Sequence, residues 1–120
     1  MFINFTNHKM EFWSEKQLAV ANEYGEIMEI PFPNVSSEMS AEEVVELSKV
    51  YAQKIIELNP AAVLCQGEFT LTYAIVKKLK EHNIKVIAAC SERKVTECIK
   101  EDGTNEKKAI FEFVQFREYI

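Results

Sequence analysis

Asn59-Pro60-Ala61-Ala62-Val63-Leu64-Cys65-Gln66-Gly67-Glu68 is the stretch that decides the fold. Asn-Pro stops the helix before it, because the residue preceding a proline is pushed out of the helical region. Ala61–Cys65 then runs apolar without a break, the pattern of a strand covered on both faces. Gln66-Gly67-Glu68 turns the chain, and Leu71, Ala74, Ile75 and Leu79 recur behind it at helical spacing. A doubly covered strand between two helices is the central unit of a parallel sheet.

Working outward, the same alternation repeats. Ser40-Ala41-Glu42-Glu43 is a capping box that opens a helix bearing Val44, Leu47, Tyr51, Ile55 and Leu58. Phe2-Ile3-Asn4-Phe5-Thr6 reads as the first strand. Ser14-Glu15-Lys16-Gln17 is another capping box, opening a helix to about Tyr24 that Gly25 ends. Glu26–Ile30 is a second strand stopped by Pro31 and Pro33, and Ile84–Ala89 is a further apolar run. The order β-α-β-α-β-α-β predicts a Rossmann-like three-layer α/β domain with four parallel strands and helices on both faces. Asp102-Gly103 predicts a hairpin turn between Lys94–Lys100 and Lys107–Tyr119, so an antiparallel hairpin closes the sheet. In the last segment Phe116 alternates with one set of residues and Phe111 and Phe113 with the other. Both sets hold apolar side chains, which predicts a strand half-covered or lying at a partner interface.

The 120 residues read as one domain, 1–120, large enough for a core without staples. A net charge of −5 argues against long nucleic acid as a partner, since that needs a broad basic face. No apolar run approaches the roughly 20 residues of a membrane span, and the N-terminus lacks the basic region of a signal peptide. Cys65, Cys90 and Cys98 stand at unrelated spacings, which points to a reducing, cytoplasmic setting rather than a disulfide framework. No Cys-x-x-Cys or His/Cys cluster calls for a metal, and no cofactor is expected.

In open parallel sheets ligands bind outside the carboxyl ends of the strands, where the strand order reverses. For an order 2-1-3-4 that point lies between strands one and three. Thr6-Asn7-His8 follows strand one, Gln66-Gly67-Glu68-Phe69-Thr70 follows strand three, and Ser91-Glu92-Arg93-Lys94 follows strand four. Three segments thus deliver hydrogen-bonding groups to one edge. His8 is the candidate general acid or base, since histidine exchanges protons near neutral pH; the alternative is a surface loop histidine. Arg93 can fork onto a phosphate, or pair with Glu92 or Glu68. Gly67 allows close backbone approach to a ligand, or simply a tight turn. Glu68 would repel phosphate and suits a ribose hydroxyl or an amine, or a helix's first turn. Thr6, Asn7, Gln66, Thr70 and Ser91 complete the candidate binding set. Gln17 is assigned to its capping box, His82 to a helix C-terminus, and Trp13 to a hydrophobic staple that can also stack a base. Asn4, polar within an apolar strand, must find a partner, and orienting the loop groups is one use for it. The cysteines lack the glycine-flanked elbow of a nucleophile.

The order of elements, β-α-β-α-β-α-β closed by an antiparallel hairpin, resembles the CARF domain, the CRISPR-associated Rossmann fold. Ile3-Asn4-Phe5-Thr6-Asn7-His8, with Gln17 in the next helix, is similar to the small stand-alone CRISPR-associated proteins of the ring-nuclease type. The resemblance implies a homodimer that binds cyclic oligoadenylate, with contacts from Thr6, Asn7 and His8 and then Ser91 and Arg93. It also implies metal-independent phosphodiester cleavage, in which a ribose 2′-hydroxyl attacks the adjacent phosphate, His8 assists proton transfer and Arg93 holds charge. The segment after strand four departs from the usual CARF pattern. Two other readings stay open: a non-catalytic ligand-sensing or protein-interaction module, and a small nucleoside-modifying enzyme with Glu68 as nucleophile.

Overall fold

The structure is a computed structural model that describes residues 1–120. Its strands are β1 (Phe2–Phe5), β2 (Ile27–Glu29), β3 (Ala62–Cys65), β4 (Val86–Ile99) and β5 (Asn105–Glu118). The helices are α1 (Glu15–Asn22), α2 (Ala41–Leu58) and α3 (Phe69–Glu81), with a 3-10 turn at Met10–Phe12. The strands form one sheet in the order β2-β1-β3-β4-β5. β2, β1, β3 and β4 pair in parallel, and β5 pairs antiparallel to β4.

One of the two expected capping boxes forms in full. Ser40 and Glu43 exchange both bonds of a capping box at the start of α2. Ser14 accepts from the Gln17 N–H, but the return bond from the Gln17 side chain is not made, so only half of that expected box forms. Glu68 caps α3 by accepting from the Thr70 and Leu71 N–H groups.

Strand parity divides the core in two. Ile3 and Phe5 of β1, Val63 and Cys65 of β3 and Val86 of β4 face α2 and α3, where Ile55, Leu71, Ile75 and Leu79 are buried. Phe2, Ala62, Leu64 and Ile87 face the other way, against Trp13 and Ala21. Right-handed crossovers produce this split: β1-α1-β2 steps one way along the sheet, and β2-α2-β3 and β3-α3-β4 step back. After β4 the chain returns as a strand instead of a helix. α1 packs against β5 on this face, and beside it, over β3 and β4, a cleft remains. No helix is long and apolar enough to cross a membrane.

The C-terminal hairpin differs from expectation. Its first arm is not a separate strand; β4 continues unbroken from Val86 to Ile99, so the sheet has five strands. Lys94–Lys100 keeps the extended conformation of the apolar run before it, because β5 supplies backbone partners along its whole length. Beyond Ser91 the two strands project as a ribbon. The radius of gyration is 17.4 Å, against about 14 Å for a compact chain of this length.

The register shifts once, between Cys90 and Ser91: Cys90 pairs with Gln115 and Ser91 with Phe113, which leaves Val114 as the extra residue. A one-residue bulge reverses side-chain parity along its strand. This explains why both alternating sets of the last segment hold apolar residues. Phe116, Phe113 and Phe111 all lie on the α1 face because Val114 is inserted between them.

Gly67 packs beneath the Phe32 ring, and an added Cβ would meet three of its carbons at 2.4–2.5 Å. Its φ is not positive, so contact with Phe32 rather than turn conformation requires glycine. Phe32 is buried against Phe5, with ring centroids 4.9 Å apart, and has little room to yield. Gly67→Ala is expected to destabilise the fold by about 1–3 kcal/mol in urea unfolding.

Candidate functional site

The cleft on the α1 face has a volume of about 360 Å³ and sits where β1 and β3 end and β4 runs on into the ribbon. β1 and its loop contribute Thr6, Asn7 and His8; β3 and the turn after it contribute Leu64 and Gln66; β4 contributes Ala89 and Ser91. Phe12, Trp13, Ser14 and Gln17 form one wall, and Phe111 and Phe113 of β5 the opposite one. His8 is the only ionisable side chain in this lining.

A buried asparagine fixes the first loop. Asn4 is 1% exposed, within β1. Its Nδ2 donates to the His8 carbonyl at 3.0 Å and to Glu29 Oε2 at 2.9 Å. Its Oδ1 accepts from the Thr6 hydroxyl at 2.8 Å, and that hydroxyl accepts from the His8 N–H at 3.1 Å. The Trp13 indole N–H donates to the same His8 carbonyl at 3.0 Å, and Glu29 Oε2 also accepts from the Met10 N–H. A side chain whose donors and acceptor are all used in low dielectric holds its partners rigidly. The loop backbone is thus fixed while the His8 imidazole stays exposed at the rim.

The other side of the cleft is anchored by Gln66. Its Oε1 accepts from the Ala89 N–H at 2.8 Å, and its Nε2 lies 3.5 Å from the Ala89 carbonyl. This clamp ties the end of β3 to β4 just before the ribbon departs. Tyr119 adds a second tie, donating its hydroxyl to the Cys65 carbonyl at 2.8 Å.

The structure brings Thr6, Asn7, His8, Gln66 and Ser91 together around the cleft. Arg93 is exposed on the ribbon opposite Phe111. Directly opposed residues share a face, so it extends the cleft's side beyond the lining. Gly67, Glu68 and Thr70 are not in the lining. The Glu68 carboxylate also takes the Thr70 hydroxyl, and these bonds, led by the Leu71 N–H, hold its pKa below the usual carboxylate value. Glu68 is a helix cap, and its oxygens are occupied.

Sequence reasoning missed Gln17 as a cleft residue. It is buried, and its amide is released to the cleft because the capping box is half-made. It also missed Phe12, Phe111 and Phe113. Nothing in a Ser-x-x-Gln pattern tells a box from a half box, and Phe111 and Phe113 depend on the bulge. Cys65 faces α2 and α3, away from the cleft, and burial pushes its thiol from an ordinary 9.0 up to about 12, so it stays protonated and inert.

A family model described as "Uncharacterized protein MJ1673 family" matches residues 1–117. The chain belongs to the MJ1673 family. No curated protein and no solved structure matches it. The matched span takes in the cleft loops, the ribbon and all but the last residue of β5.

Two expectations test this site. Asn4→Ala removes three hydrogen bonds and leaves Glu29 and Thr6 short of partners. A loss of about 1–3 kcal/mol in chemical denaturation is expected. For Cys65, the unfolded thiol ionises from about pH 9 while the folded one remains protonated, so unfolding releases a proton there. Stability should fall as pH rises from about 9 towards 12 by up to about 1.4 kcal/mol per pH unit, with no contribution below 9. Cys65→Ala should lose that component of the slope.

Proposed function

We propose that the cleft binds one nucleotide unit of a small oligonucleotide, of the cyclic-oligoadenylate class, and that the protein cleaves it as a CRISPR-associated ring nuclease acting as a homodimer. The observation that carries this reading is the chemistry of the lining. Aromatic side chains face neutral amides and hydroxyls, with one histidine at the rim. Trp13 and the phenylalanines suit the face of a purine, and Asn7 and Gln17 suit its hydrogen-bonding edge. The cleft is at the small end of the roughly 300–1,000 Å³ range of ligand pockets. It suits one base and its ribose, so a cyclic ligand reaches past it towards a second copy.

Cleavage in this reading needs no water as nucleophile. The ribose 2′-oxygen bonds to the adjacent phosphorus and the bond from phosphorus to the 5′-oxygen breaks. The 2′-hydroxyl proton passes to the His8 imidazole, and the imidazolium gives it up through solvent to the departing 5′-oxygen. The products are linear, ending in a 2′,3′-cyclic phosphate and a 5′-hydroxyl. Arg93, on the cleft side of the ribbon, supplies the positive charge for the phosphate that the lining lacks.

A second reading, ligand sensing without turnover, is favoured by the same lining, because one ionisable group is fewer than most acid–base sites use. A nucleoside-modifying reaction through Glu68 has no such support, since that carboxylate is spent on the α3 cap.

Incubation with cyclic tetra- and hexa-adenylate, followed by chromatography, tests the proposal. Linear products are expected, with His8→Ala slowing cleavage about 10²–10⁴-fold while binding persists. Tight binding with intact ligand would select the sensing reading. Absence of binding to either ring would overturn both.

A further inference from the structure

The ribbon beyond Ser91 has two chemically distinct faces. In an antiparallel pair, directly opposed residues point the same way and successive residues alternate. The register therefore puts the pairs Arg93–Phe111, Val95–Ala109 and Glu97–Lys107 on one face. Lys94–Ile110, Thr96–Lys108 and Cys98–Glu106 lie on the other. The second face carries two ion pairs, Lys94–Glu112 at 2.8 Å and Lys100–Glu106 at 3.9 Å, and leaves Ile110 45% exposed, whereas the first carries one, Glu97–Lys107 at 3.5 Å. The first face is continuous with the aromatic wall of the cleft. It leaves Phe111 72% and Val95 55% exposed. A two-stranded hairpin is marginally stable alone in water, and this one projects from the sheet with an apolar face uncovered.

We infer that this face packs against the same face of a second copy, about a two-fold axis running along the ribbon. The inference deepens the homodimer reading proposed above and rests on it in taking the partner to be a second copy. Charge and shape select that occupant. An axis along the ribbon exchanges the two strands, so each residue meets the residue it already opposes within its own copy. Glu97 then faces the partner's Lys107, as it faces its own Lys107 at 3.5 Å. Arg93 faces the partner's Phe111, a cation over an aromatic ring. Val95 faces the partner's Ala109, a larger side chain against a smaller one. The face is self-complementary, as an isologous interface requires. Ribbons packed face to face lie about 10 Å apart, and this axis leaves both clefts at the same end of the paired ribbons. Two clefts, each sized for one nucleotide unit, then lie near that end, with an Arg93 from each copy beside them.

Sedimentation velocity on the full chain without ligand tests the interface separately from the cleft chemistry. The wild-type chain should run as a dimer. Phe111→Asp and Val95→Asp should each weaken dimerisation by at least about 30-fold. Ile110→Asp and Thr96→Asp, on the salt-bridged face, should leave it intact, with circular dichroism confirming that all four fold. Glu97→Lys should weaken the dimer, and adding Lys107→Glu should restore it. A monomeric wild-type chain at high micromolar concentration, equal effects from both faces, or a dimer untouched by Phe111→Asp and Val95→Asp would overturn the inference. A dimer that behaves as predicted yet binds no cyclic oligoadenylate would uphold the interface and sink only the ligand reading.

Discussion

The arrangement of the cleft and the ribbon depends on one inserted residue. Because side chains alternate along a strand, Phe116 and Phe113 would point to opposite sides of a regular β5. The bulge at Val114 returns both to the α1 face, where their rings lie 4.8 Å apart. Phe116 packs on Phe2 at 5.5 Å, and Phe2 meets Trp13 edge-on at 6.2 Å. A row of aromatic rings thus runs from α1 across the sheet to the ribbon. Moving the register by one residue would give Phe111 to the salt-bridged face and leave the cleft without a wall. Two ties on the sheet side of the bulge, Gln66 to Ala89 and Tyr119 to Cys65, hold the root of the ribbon to the sheet.

The opposite wall rests on a second constraint, the satisfaction of Asn4. A polar side chain inside a strand costs stability unless its donors and acceptor find partners. Here the partners are the groups that shape the loop after β1, so the cost of burying Asn4 is offset by fixing the backbone that presents Asn7 and His8. The cleft follows from these two constraints: one wall is set by hydrogen bonds, the other by strand parity, and the floor by Leu64 and Ala89. Its neutral, aromatic lining is what makes a nucleobase a better fit than a bare phosphate, and Arg93 on the adjoining ribbon supplies charge at the margin.

Much of this was legible in the sequence where one local signal settled one local feature. The doubly apolar run Ala61–Cys65, the two capping patterns and the Asp-Gly turn placed the elements, and strand-end placement brought Thr6–His8, Gln66 and Ser91 to one edge. The rest depended on contacts between distant segments. A composition shift after Cys90 reads as the end of a strand, yet β4 continues because β5 pairs with it. Gly67 reads as a turn glycine, and only Phe32, far upstream, explains it. Glu68 reads equally as a ligand contact and as a cap until its partners are seen. Gln17 and Phe111 turn into the cleft for reasons that no Ser-x-x-Gln pattern or aromatic alternation carries, a half-formed cap and a bulge.

Backbone amide shifts followed by NMR while cyclic tetra-adenylate is titrated into labelled protein test the central claim most directly. The cleft account predicts saturable changes concentrated at Asn7, His8, Gln17, Gln66, Ser91 and Phe111–Phe113. Changes centred on the groove between α2 and α3, lined by Val44 and Tyr73, or no changes at saturating ligand, would contradict it.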